Sequence, residues 1–167
     1  MRRKARRAVF NSKDALRFLV RFNLFAVPLY VILLTKFEFL PLMQLTTQLA
    51  FALLRVTGIG AELDNYIIRV PVEGGHFGAF VSWDSTGWKS MLALFALIFA
   101  TAAPLRKKLR GLVLIPVVYA INLARIWFMF YIATVNIDYF DIAHITVWSW
   151  GLIIAILLLW FFWLKKF

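Results

Sequence analysis

The chain has 167 residues, 63% of them hydrophobic and 17% aromatic, and a mean hydropathy of +0.81, a balance outside that of ordinary soluble domains. Its formal charge of +11 would suggest nucleic acid in a soluble protein; here the basic residues flank apolar runs and act as topology signals, which removes nucleic acid as a partner. The absence of cysteine excludes disulfides and thiolate metal sites, and His76 and His144 are too few for a histidine-rich centre, so neither a metal nor a cofactor is expected.

In chain order, a basic stretch (residues 1–15) leads into the apolar run Leu16–Thr35. The pairing imitates a signal peptide, but Thr35-Lys36-Phe37-Glu38 offers no small-residue cleavage site, so a retained anchor is expected. Three further runs, Trp88–Leu105, Gly111–Ala133 and Ile145–Leu164, reach the ~20 residues that span hydrocarbon as helix. Phe39–Val56 is a fifth candidate, but Gln44, Thr46, Thr47, Gln48 and Arg55 make it a poor lipid-facing span. Charge assigns it: the clusters Arg2–Arg21, Arg106–Arg110 and Lys165–Lys166 share the cytoplasmic side only if Phe39–Val56 stays at the outer interface.

Between that helix and Trp88 the pattern changes. Tyr66–Val72 is β-branched and aromatic, Glu73-Gly74-Gly75 signals a turn, and Phe77–Trp83 continues extended, which predicts an external β-hairpin whose Pro71 strand is an edge. Tryptophans 83, 88, 148, 150, 160 and 163 fall near expected interfaces as an aromatic belt. Without repeats or flexible linkers, the expectation is one integral membrane domain over 1–167. The expected class is an all-α polytopic membrane protein with about four transmembrane helices, an outer interfacial helix and a short external hairpin. The segment 36–87 is expected on the external side, with Phe39–Val56 at the outer interface.

In this topology Ser85, Arg125 and His144 fall towards one membrane face. Arg125 lies roughly 12 Å below Ala133 at ~1.5 Å per residue. An arginine within a span costs about 2.5–3.5 kcal/mol and therefore faces a bundle interior or wet cavity. Asn122, three residues earlier, extends it into a polar stripe. Each residue also has a plainer reading. Arg125 would pair with Asp138 or Asp141, His144 would sit at the interface, His76 would be a loop residue, Lys89 would snorkel, and Ser85, between Asp84 and Thr86, would be an N-cap. Together, a hydroxyl at a helix N-terminus, an imidazole and a guanidinium make a candidate acyl-transfer site with nucleophile, base and oxyanion stabiliser. A cysteine at position 85 would be activated by the helix N-terminus, Lys89 and Arg125, so the site looks built for a thiolate.

Asp84-Ser85-Thr86-Gly87-Trp88-Lys89-Ser90-Met91-Leu92, Asn122-Leu123-Ala124-Arg125-Ile126 and Asp141-Ile142-Ala143-His144 resemble the signature blocks of the archaeosortase/exosortase family of membrane transpeptidases. Those blocks are a Cys followed by Thr or Ser and Gly, an Asn-x-x-Arg-Ile-like helix, and a His or Arg. The likeness runs from about Leu49 to the C-terminus and includes Leu-Leu-Arg-x-x-Gly at Leu53–Gly58. The resemblance implies a multi-pass plasma-membrane enzyme with its active site on the extracytoplasmic face. Its partner would be a C-terminal sorting signal of a secreted protein, made of a motif, an apolar span and a basic cluster. It would cleave near the motif through a thioester and pass the new carboxyl end to a lipid or other amine acceptor. Position 85 would be the nucleophile, Arg125 the polarising residue and His144 the acid/base, with Asp84, Thr86, Lys89 and Asn122 in support. The chain departs at position 85, where Ser replaces Cys. Substitution of an original Cys is the favoured account, and the chain is then expected to be inactive or slow. Two other readings remain: a Ser85–Lys89 dyad peptidase, and a non-enzymatic scaffold whose Arg125 and N-terminal cations hold anionic lipid. A lipid-phosphatase arrangement of Lys, Arg and His is not found.

Overall fold

A computed structural model describes residues 12–140 and 150–166. Asp141, His144 and the first residues of the run Ile145–Leu164 lie outside them. The described chain is mostly helical. In order it contains α1 (Ser12–Phe25), α2 (Val27–Thr35), α3 (Leu40–Val56), β1 (Glu62–Asp64), β2 (Ile67–Val72), β3 (Gly75–Phe80), a one-turn 3-10 helix (Trp83–Thr86), α4 (Trp88–Ala100), α5 (Leu105–Gly111), α6 (Leu114–Val135) and α7 (Leu152–Lys166).

The first apolar run is a bent pair: α1 and α2 meet at 44°. Pro28, in the first turn of α2, removes an N–H and its ring crowds the carbonyl four residues back, which bends the path at Ala26. The second run is shorter than its apolar length predicts. Helix α4 stops at Ala100 because Thr101 is extended ahead of Pro104, and 13 helical residues reach only about 20 Å. Helices α5 and α6 follow one another through Leu112 and Val113, both right-handed helical. They make Leu105–Val135 a 31-residue helical segment, long and apolar enough to cross a bilayer as it stands; the bent pair passes the same test when taken together.

Helix α3 divides its polar residues. Gln44, Gln48 and Arg55 are exposed, whereas Thr46 and Thr47 are buried and return their hydroxyls to the carbonyls of Leu42 and Met43 at 2.7 and 2.8 Å. Thr46 Oγ1 also lies 3.0 Å from the Tyr119 hydroxyl on α6. The Leu-Leu-Arg-x-x-Gly stretch is a Schellman C-cap: Ile59 N–H bonds Leu54 C=O and Gly58 N–H bonds Arg55 C=O.

The segment after α3 is a three-stranded antiparallel sheet of order β1-β2-β3. The Pro71 strand is therefore central rather than an edge. Proline is accommodated because β1 pairs only with Ile67 to Arg69 and ends before residue 71, so no ladder bond is lost there. Strand β3 also ends earlier than the extended reading to Trp83. Ser82 N–H bonds Phe80 C=O, and the chain turns. One sheet face packs Ile68 and Val70 against Ala50 and Leu54 of α3 and Ile126 and Phe130 of α6. A second core joins Leu94 and Ile98 of α4, Val118 of α6, and Ile156 and Trp163 of α7. Met43, Trp83 and Trp88 form a third.

Candidate active site

The turn before α4 brings most of the polar residues together. Ser85 N–H bonds Ser82 C=O at 3.0 Å, and the buried Thr86 hydroxyl bonds Trp83 C=O at 2.8 Å, closing one tight turn. Gly87 then takes φ +79° as the N-cap of α4. A Cβ there would stand 2.8 Å from Asn122 Cγ, so the position needs glycine both for its left-handed backbone and for the approach of α6. Ser85 is thus not the N-cap; it lies two residues earlier, in the 3-10 turn.

Asn122 and Arg125, one turn apart on α6 and both buried, converge on Ser85. Asn122 Nδ2 donates to Ser85 C=O at 2.8 Å, and Arg125 Nη2 approaches the same oxygen at 3.5 Å. The Ser85 hydroxyl is half-buried, 3.1 Å from Ser82 Oγ. It opens with Arg125 into an apolar cavity of about 90 Å³ between the end of β3 (Ala79, Phe80) and α6 (Ile126, Met129, Phe130). Arg125 also borders a second cavity, of about 270 Å³, with Asp84, Lys89 and Ser90 on one side and Leu152 and Ile153 of α7 on the other. The guanidinium therefore borders both the apolar cavity and a space flanked by the Asp84–Lys89 pair.

The structure brings Ser85, Asn122 and Arg125 together, as the stripe on α6 and the polar start of α4 suggest. Thr86 supports the turn through its bond to Trp83. Lys89 forms an ion pair with Asp84 at 2.9 Å, both side chains half-exposed. No hydrogen bond joins Lys89 to Ser85 among the described residues, so the geometry does not favour a Ser–Lys dyad. His76 is exposed on β3, away from this cluster. His144 lies outside the described residues. Sequence reasoning passed over Ser82, because an extended run to Trp83 points it away from Ser85; only the 3-10 turn makes residues three apart neighbours. The apolar cavity was equally hidden, since its two walls are some fifty residues apart in the chain.

The profile of the transmembrane exosortase family matches residues 10–163. The chain belongs to this family. No curated protein and no solved structure matches it. Membership makes the chain a membrane protein of a family of transpeptidases that act on C-terminal sorting signals. In this exosortase the turn Trp83–Thr86 holds a serine, and a guanidinium and a carboxamide from the long helical segment secure it.

Proposed function

We propose that this exosortase is built to cleave a C-terminal sorting signal at position 85 and to transfer the new carboxyl end to an amine, with a lipid as candidate acceptor. The observation that carries this reading is the convergence of Asn122 and Arg125 on the Ser85 carbonyl at the mouth of an apolar cavity. With the four passes that the charge pattern predicts and residues 1–15 in the cytoplasm, this cluster lies at the extracytoplasmic face, and the hairpin Tyr66–Trp83 and the interfacial helix Phe39–Val56 cover it.

With cysteine at position 85, the thiolate attacks the scissile carbonyl and the tetrahedral oxyanion is stabilised by Arg125. Collapse forms a thioester and releases the C-terminal segment as an amine protonated by His144. An acceptor amine then attacks the thioester, loses its proton to the same base, and leaves an amide and the regenerated thiolate. Each step balances without an external reagent. Arg125 and the start of α4 both favour a thiolate. A serine hydroxyl gains much less, because its proton must be removed by a well-placed base. Serine at position 85 therefore reads as a replacement that keeps the turn and Ser82 contact while disabling turnover.

The test is to co-express the serine-85 chain, and its Ser85→Cys form, with a secreted protein from the same cell that ends in motif, apolar span and basic cluster. Intact mass of that protein is the readout. Loss of the C-terminal segment only with Ser85→Cys is the expected result, and the added mass identifies the acceptor. Equal processing by the serine form would sink the disabled-thiol reading.

A further inference from the structure

Among the described residues β3 is an edge strand. Antiparallel alternation determines which of its backbone groups are free. Val81 N–H bonds Tyr66 C=O at 2.9 Å. With the register from Ile67↔Phe80 to Val72↔Gly75, residues 75, 77, 79 and 81 exchange bonds with β2, and His76, Gly78 and Phe80 point theirs away from it. The Phe80 carbonyl turns back to Ser82. The N–H groups of 76, 78 and 80 and the carbonyls of 76 and 78 remain directed at the open side. The usual devices that protect an edge, a proline, a lysine or a bulge, are absent from Gly75–Phe80. This edge also has a destination: Ala79 and Phe80, at its end, line the apolar cavity that holds Ser85 and Arg125.

We propose that the sorting signal binds as an added strand along β3, its extended backbone pairing with His76, Gly78 and Phe80 and its scissile carbonyl running into the cavity at position 85. The proposal rests on the transpeptidase reading and specifies how the substrate is held. An extended peptide is the occupant whose backbone can satisfy alternate donors and acceptors of a sheet edge. A helix has its own backbone bonds already made. Side chains of the added strand alternate between faces. Those on the inner face enter the space bounded by Ile126, Met129 and Phe130, which suits a small or medium apolar side chain beside the scissile bond. Those on the outer face lie next to the exposed His76 and Phe80. Recognition through the backbone gives affinity for an extended segment, and the cavity selects among side chains.

The chain has no cysteine, so single cysteines can report strand pairing directly. His76→Cys and Phe80→Cys would each be placed in the serine-85 chain, with Gln48→Cys on the exposed face of α3 as control. Each would be oxidised against a cysteine scan of the tail of a secreted protein from the same cell that ends in motif, span and basic cluster. Paired strands bring Cα atoms to ~5.5 Å, within disulfide reach. The expected result is one preferred tail position for each variant, the two positions four residues apart. The positions immediately beside them should cross-link at least about tenfold less, because they face the other side. Cleavage of the same protein by the Ser85→Cys form is measured in parallel. Cleavage without this cross-linking pattern, or cross-links spaced otherwise or equally strong at residue 48, overturns strand addition and leaves the transpeptidase reading standing. Absence of both cross-links and cleavage overturns both.

Discussion

The two ends of α4 solve similar packing problems to different effect. At its start, Gly87 lets Asn122 approach, and a carboxamide and a guanidinium point at a main-chain carbonyl. Beyond its end, Gly111 lets Trp163 approach, since a Cβ there would stand 2.8 Å from the indole nitrogen. At that end, Lys108 Nζ bonds Phe99 C=O at 2.6 Å and Lys107 Nζ bonds Leu164 C=O at 3.2 Å. These lysines close the last carbonyls of α4 and α7, where cations complement the helix dipole. Arg125 does the reverse, because it brings a buried cation to the beginning of α4, where the dipole is already positive. The Ser85 carbonyl is among the partners that hold it there.

That contrast can be broken experimentally, and the largest effect is expected at Arg125. In the Ser85→Cys background, Arg125→Ala should lower the cleavage rate on the order of 10²–10³-fold, the loss typical of removing an oxyanion donor, with far less effect on yield of folded protein. Arg125→Lys should not restore the rate, because a lysine lacks the planar fork. Unchanged cleavage in Arg125→Ala would mean the site is misassigned.

Gly87→Ala sharpens the comparison with Gly111→Ala. The first combines a left-handed residue, about 1–2 kcal/mol, with displacement of Asn122, so cleavage should fall well beyond the loss in thermal stability. The second is an overpacking error of about 1–3 kcal/mol against Trp163 and Ile98. It should lower the melting temperature in detergent while the protein that remains folded keeps its rate per molecule. Equal rate losses in the two would erase the functional distinction between the ends.

Smaller effects separate the lysines. Lys107→Met and Lys108→Met should each reduce stability by about 0.5–2 kcal/mol by removing a charged cap, measured as a shift in thermal unfolding. Lys89→Met removes a half-exposed ion pair worth at most about 1 kcal/mol and should change cleavage by the Ser85→Cys form less than about threefold. A loss as large as that of Arg125→Ala would return the Ser–Lys dyad to consideration.

The polar stripe of α6 was legible because Asn122 and Arg125 are conspicuous in an apolar helix, where period and cost of burial both single them out. The β2–β3 turn was legible from Glu73-Gly74-Gly75. What escaped depends on distant partners. Pro71 marks an edge only if the neighbouring strand extends past it, and β1 is three residues long, too short to announce itself. The end of α4 at Ala100 is set by Pro104 acting on residues before it, not by apolarity, which continues. Thr46 and Thr47 look unfit for a packed helix until their hydroxyls are seen returning to α3's own carbonyls. The Ser82–Ser85 contact exists only because the chain leaves the sheet after Phe80, a choice made by the turn and invisible to periodicity.

The stacking of Trp83 on Trp88, with ring centroids 5.2 Å apart and planes inclined by 13°, brackets the turn that carries position 85. Two indoles this close share their excited states, so their circular-dichroism couplet depends on the mutual orientation of the rings. Occupying or distorting the turn would alter that orientation and with it the couplet. The protein thus carries an optical gauge of the turn around position 85, readable without a label by comparing spectra of the chain with those of Trp83→Phe.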